Sequence, residues 1–183
     1  ALIKIVRQKS LNKVGDTYYI WPYKGEFRKL LLEYKNNSRL ALGKIISSLI
    51  EEEIFKVVYE EDIDYIVPIP INFRREQIRG FNQVEEILKN LNYSFLKTNR
   101  VKNTKKMFKI LDKEKRENNI KNSFKVDKEF KAKNILIFDD IITTGATIEE
   151  FKRELIKNGE VNKIVVFSLS ASKTYMNSNK RMC

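Results

Sequence analysis

Residues 135–147 read ILIFDDIITTGAT. Ile135, Leu136, Ile137 and Phe138 form an unbroken apolar run. Such a run has no wet face, so it predicts a strand buried on both sides, and strands of that kind belong to parallel sheets covered by helices. Asp139 and Asp140 end the strand, and a loop over 141–146 leads into a helix over 147–158, with Gly159 as its stop. In an open parallel sheet, ligands collect at the carboxyl ends of the strands, where these two acids stand.

The surrounding sequence supplies the rest of such a fold. Residues 17–23 (TYYIWPY) are aromatic and β-branched, and Pro22 suits the end of a short strand. Residues 26–35 carry Phe27, Leu30, Leu31 and Tyr34 at helical spacing. Ser38 is placed to cap a further helix over 40–59. Residues 64–70 (DYIVPIP) predict a buried strand running into a proline-bounded loop, and 80–91 predict an amphipathic helix opened by Gly80. A strand is expected within 93–101, a charged flap over 102–122, and short strands at 123–126 and 163–169. Strand and helix alternate, so the expected class is α/β in a single domain over 1–183.

The chemistry of 135–147 is specific. Thr143, Thr144, Gly145, Ala146 and Thr147 are small or hydroxylated and precede a helix, so backbone N–H groups and the helix N-terminus can hold an anion. Carboxylates repel phosphate and need another task, and vicinal sugar hydroxyls are good donors to them. Ribose 5-phosphate satisfies both halves. The alternative is a capped turn with two surface acids, which the buried strand and anion loop on either side disfavour.

A second cluster follows the other buried strand. PIPINFRREQIRGFNQ (68–83) places Arg74, Arg75 and Arg79 in a short loop on the same expected rim, where guanidinium groups suit bidentate contact with pyrophosphate. Asn82 either contacts ligand or caps the helix. Lys35 either neutralises pyrophosphate or simply favours the end of its helix.

Composition narrows the field. Histidine is absent, which removes His-based triads and His-ligated metals. The single cysteine, Cys183, cannot build a disulfide framework. There is no visible signal peptide, so a reducing, cytoplasmic setting is expected, without a membrane span. The net charge of +12 fits a phosphate-rich partner or a plain lysine bias.

Segment 135–147 resembles the phosphoribosyl-pyrophosphate signature of type I phosphoribosyltransferases. The resemblance implies that Asp139 and Asp140 hold the ribose hydroxyls, and that Ile141, Thr143, Thr144, Gly145, Ala146 and Thr147 complete the phosphoribosyl site. Arg74, Arg75, Arg79, Gly80 and Lys35 would meet the pyrophosphate, with Arg79 joining the two acids in catalysis. It also implies Mg²⁺, held by Asp139 and Asp140 directly or through ribose and water. The fold implied is a mainly parallel sheet flanked by helices, with a small hood.

Tyr23-Lys24-Gly25, PIP…RGFNQ, the midsection Arg116, Asn119, Phe124 and the DD…TTGAT loop together resemble the ComF family of competence-associated phosphoribosyltransferase-like proteins. Two departures stand out. The N-terminal Cys-rich zinc segment of many members is missing here, through truncation or true absence, and residues 1–17 would then be its remnant. The midsection reads Thr104-Lys105-Lys106-Met107-Phe108, without the usual Gln. The resemblance implies a phosphoribosyltransferase linked to DNA uptake. The alternative is a non-catalytic module that senses a phosphoribosyl ligand, or binds single-stranded DNA or a competence helicase, with Tyr18, Tyr19 and Trp21 stacking on bases.

Overall fold

The computed structural model describes residues 2–36, 39–101, 121–126 and 129–179. Its elements in chain order are α1 (Leu2–Arg7), β1 (Asn12–Val14), β2 (Thr17–Pro22), α2 (Gly25–Asn36), α3 (Leu40–Glu60), β3 (Tyr65–Pro68), α4 (Phe73–Arg79), α5 (Gln83–Asn90), β4 (Asn99–Arg100), β5 (Phe124–Lys125), β6 (Phe130–Ile142), α6 (Ala146–Lys157), β7 (Gly159–Ala171) and α7 (Lys173–Asn179). Five strands form one sheet in the order β1-β2-β7-β6-β3. All its pairings are parallel except β1 with β2. β4 and β5 make a separate two-stranded hood.

The apolar run does what its composition requires. Leu136 and Phe138 face a core shared with α2, α3 and α5, while Ile135 and Ile137 face a second core with Phe124, Phe151 and Leu155. Burial of side chains on alternate faces is the period-2 geometry of a strand. The first core is anchored by Trp21, which stacks on Phe27 with centroids 4.1 Å apart and donates through Nε1 to the Ile5 carbonyl at 2.9 Å. That bond ties α1 to the sheet.

Several expectations change. β6 and β7 overrun their apolar segments and pair along most of their length, with register irregularities around Lys133. Ladder hydrogen bonds belong to the backbone, so pairing continues past the apolar residues in both directions. Asp139 and Asp140 therefore lie within β6, paired in register up to Ile142, and the loop shrinks to residues 143–145. The expected arginine loop is mostly helix. Asn72 caps α4 by accepting from the Arg74 amide at 3.0 Å, and Gly80, in the left-handed region at φ 83°, closes it. Gly80 thus ends a helix instead of opening one. The next helix starts at Gln83, because Asn82 is its cap and accepts from Val84 N. Tyr18, Tyr19 and Trp21 are buried, so they belong to the core and offer no stacking face to bases. Ser38, residues 104–108, Arg116 and Asn119 lie outside the described residues, and α3 begins after Arg39. Among the described residues no helix is long and apolar enough to cross a membrane.

Glu61, just beyond α3, joins three elements. It accepts from the Tyr18 hydroxyl at 2.6 Å, from Lys163 at 2.9 Å and from Lys13 at 3.0 Å. These partners, the tyrosine foremost, hold its carboxyl down from 4.5 to about 2. A carboxyl lowered on folding contributes stability that is complete above its unfolded value and fades as pH falls towards the folded one. Glu61→Gln should cost about 1–2 kcal/mol at neutral pH, in the range of hydrogen bonds to charged groups. In urea titrations the gap to wild type should close as pH drops from about 5 to about 2. Equal stability at neutral pH would contradict this.

Candidate functional site

Register brings the two sequence clusters to one rim. Pro68 at the end of β3 pairs with Phe138, and Ile69 N donates to the Phe138 carbonyl at 2.9 Å. The segment leading to α4 thus leaves the sheet beside the point where Asp139 and Asp140 occur. Successive strand residues point to opposite faces, so the two acids diverge. Asp140 follows Leu136 and Phe138 towards α2 and α5, and Asp139 follows Ile135 and Ile137 towards the hood.

Asp140 is buried, with Lys35 Nζ 2.6 Å and Gln83 Nε2 2.5 Å from the same oxygen, Oδ2. Gln83 Oε1 in turn accepts from Arg79 Nη1. Tyr34, one residue before Lys35, donates its hydroxyl to the Gln83 carbonyl at 3.0 Å. Its neighbourhood is closed enough that burial pushes the Tyr34 phenol well up. Lys35 therefore does more than end its helix favourably: its ammonium reaches the acid that the sequence singled out.

Asp139 is half-buried, and Asp140 N donates to its Oδ1 at 2.8 Å. Burial first, and then the adjacent Asp140 charge, push its carboxyl well above the usual carboxylate range. The Asp140 amide, Lys35 and Arg100 oppose the shift. Arg100 comes from the hood strand β4 and lies over the Phe124 ring, 5.2 Å from the centroid. Burial, with Arg75 second, lowers the Arg100 guanidinium to about 10. Arg79 is lowered too, by burial first and also by Arg75, with Asp140 opposing. Crowded, partly desolvated cations beside two acids are an arrangement that an anion relieves. Arg74 remains exposed, and its visible part in the local structure is the backbone N–H held by Asn72.

Beyond the acids, Thr143, Thr144 and Gly145 turn the chain into α6. Gly145 is the N-cap and makes no side-chain cap bond. Ala146 N lies 3.5 Å from Thr144 Oγ1. The first-turn amides and the helix dipole therefore face the loop that Thr143 and Thr144 border. The loop is braced from behind. Ser172 Oγ donates to the Thr143 carbonyl at 2.5 Å, and Tyr175, whose hydroxyl pairs with Thr17 Oγ1 at 2.8 Å, packs on Gly145.

Among the described residues no three acidic, His or Cys side chains cluster as a metal cage. Carboxylate oxygens suit Mg²⁺. Asp140 Oδ2 is engaged by Lys35 and Gln83, so the donors that fit are Asp139 and the second oxygen of Asp140. An ion there would draw its other ligands from water and substrate.

Sequence reasoning missed Gln83, Arg100 and Tyr34. Gln83 was visible as the last letter of RGFNQ, but only packing shows its amide lying between Arg79 and Asp140. Arg100 was hidden at the edge of a Lys-rich stretch, where one more cation carries little signal.

Gly145 sits at φ 84°, and a Cβ there would lie 3.0 Å from Tyr175 Cε2. Gly145→Ala should cost about 1–3 kcal/mol, from left-handed strain plus the ring contact. In a Tyr175→Ala background the contact part should vanish and the cost shrink in thermal unfolding. An unchanged cost would show that the ring contributes nothing.

The PRTase-CE family model matches residues 25–182. Competence protein ComFC of Streptococcus pneumoniae is 30% identical over 161 residues, covering 82% of this chain and 66% of that one. ComFC of Bacillus subtilis is 31% identical over 124 residues, covering 64% and 49%. DNA utilization protein YhgH of Escherichia coli K12 is 27% identical over 139 residues, covering 71% and 61%. The aligned part thus spans from about half to about two thirds of these relatives' length.

Proposed function

The chain belongs to the ComF family of phosphoribosyltransferase-like proteins, and on that premise we propose that it binds phosphoribosyl pyrophosphate with Mg²⁺ and acts as a phosphoribosyltransferase in the handling of incoming DNA. One observation carries the reading. The acids near the carboxyl end of β6, the first turn of α6 and the cations Lys35, Arg75, Arg79 and Arg100 belong to one rim. Phosphate, diol and pyrophosphate occur in the same order in this ligand. The names of the relatives, competence and DNA utilization, support the cellular setting, which in this reading is the cytoplasm.

The chemistry asked of the protein is modest. Departure of pyrophosphate leaves positive charge on the ribose ring, so the protein mainly positions the sugar and neutralises the leaving group. The α6 amides with Thr143, Thr144 and Thr147 hold the 5-phosphate. Asp139 and Asp140 take the ribose hydroxyls at the rim, near the carboxyl end of β6. Arg79, Arg75 and Lys35 receive the pyrophosphate. Mg²⁺ supplies further neutralisation of the pyrophosphate oxygens when bound. A competing reading, a basic surface for single-stranded DNA, rests on the +12 charge. It has lost Tyr18, Tyr19 and Trp21 as stacking platforms.

Calorimetric titration of phosphoribosyl pyrophosphate with Mg²⁺ tests the assignment. Wild type should bind, and Asp139→Asn/Asp140→Asn should bind at least about tenfold more weakly, the loss expected when charged acceptors are removed from a buried site. Equal binding by both, or none by wild type, contradicts it. DNA binding through many phosphates would instead fall steeply with salt.

A further inference from the structure

Gln83 makes a connection that the assignments above leave unused. The residue is 5% exposed, and its amide bridges two charged groups of opposite kind. A guanidinium only donates and a carboxylate only accepts, so Oε1 must face Arg79 and Nε2 must face Asp140. Neither end can be reversed without opposing like polarities in a buried site. Tyr34 fixes the backbone of the same residue through its carbonyl. Arg79 therefore sets the direction of the amide, and the amide sets how Asp140 is occupied.

That occupancy matters to a sugar. Asp140 Oδ2 already accepts from Gln83 Nε2 and Lys35 Nζ. A ribose hydroxyl is another donor and competes with both. Yet Arg79 and Lys35 are cations that a pyrophosphate would attract. We propose that Gln83 is a latch: while Arg79 holds its carbonyl end, its amide end covers Asp140, and a pyrophosphate that draws Arg79 away frees the carboxylate for a ribose diol. This rests on the phosphoribosyl reading of the pocket and adds an order of events, in which the pyrophosphate arm is engaged before the sugar is gripped. Gln83 acts here as a positioning residue.

The test separates the two arms of the ligand. Ribose 5-phosphate is titrated into wild type and Gln83→Met, with and without inorganic pyrophosphate, at fixed Mg²⁺. In wild type, pyrophosphate should tighten ribose 5-phosphate about 5–10-fold, within the usual range of coupling between sites. In Gln83→Met, ribose 5-phosphate alone should bind at least as tightly as in wild type, and pyrophosphate should change that affinity less than about twofold. A merely structural role would weaken both ligands and leave their coupling intact. Should the methionine variant fail to fold, Gln83→Leu likewise removes both the acceptor for Arg79 and the donor for Asp140, and should lose the coupling in the same way. The latch is overturned if the coupling is unchanged in the variant, or absent from a wild type that binds both compounds. If wild type binds neither, the phosphoribosyl reading fails and the latch falls with it.

Discussion

The parallel pairing of β6 with β3 on one side and β7 on the other is the constraint on which the rest depends. It requires a strand apolar on both faces, which Ile135 to Phe138 provide. It also requires crossover connections, so the helices cover both faces and the carboxyl ends of neighbouring strands share a rim. The β3–β6 register puts Pro68 beside Phe138, one residue before the two acids. Two segments some seventy residues apart in sequence are thereby brought to one rim.

Extending β6 through Asp139 and Asp140 has an electrostatic consequence. Neighbouring strand residues face opposite ways, so the two acids are bordered by different groups. Asp140 meets Lys35 of α2 and Gln83 of α5. Asp139 has Lys35 and, from the hood, Arg100 as opposing charges. Buried charge is costly unless paired, and breaking such a pair leaves an uncompensated ion. The site is therefore held by groups from the helices on one face and the hood on the other, and one oxygen of Asp140 is bonded within the protein.

Much of this was legible in the sequence, for physical reasons that differ by region. The buried strands and the amphipathic helices announce themselves by composition and period. The TTGAT turn follows from residue type and placement, whereas Lys35 read equally well as a helix end, and only packing puts its ammonium on Asp140. What misled was punctuation. Gly80 read as a helix start, yet Asn72 and Asn82 are the caps, and the glycine closes the short helix between them. Aromatic Tyr18, Tyr19 and Trp21 read equally well as strand core or as a base-stacking face, and burial decides for core. The bridging amide of Gln83 was not legible at all, because its meaning depends on two partners brought together only by the tertiary fold.

A crystal structure with phosphoribosyl pyrophosphate and Mg²⁺ tests the central claim most directly. The 5-phosphate should lie on the first-turn amides of α6 beside Thr143 and Thr144, the ribose hydroxyls on Asp139 and Asp140, and the pyrophosphate against Arg79 and Lys35. A ligand bound elsewhere, or a 5-phosphate on the arginines with Asp139 and Asp140 untouched, would contradict it.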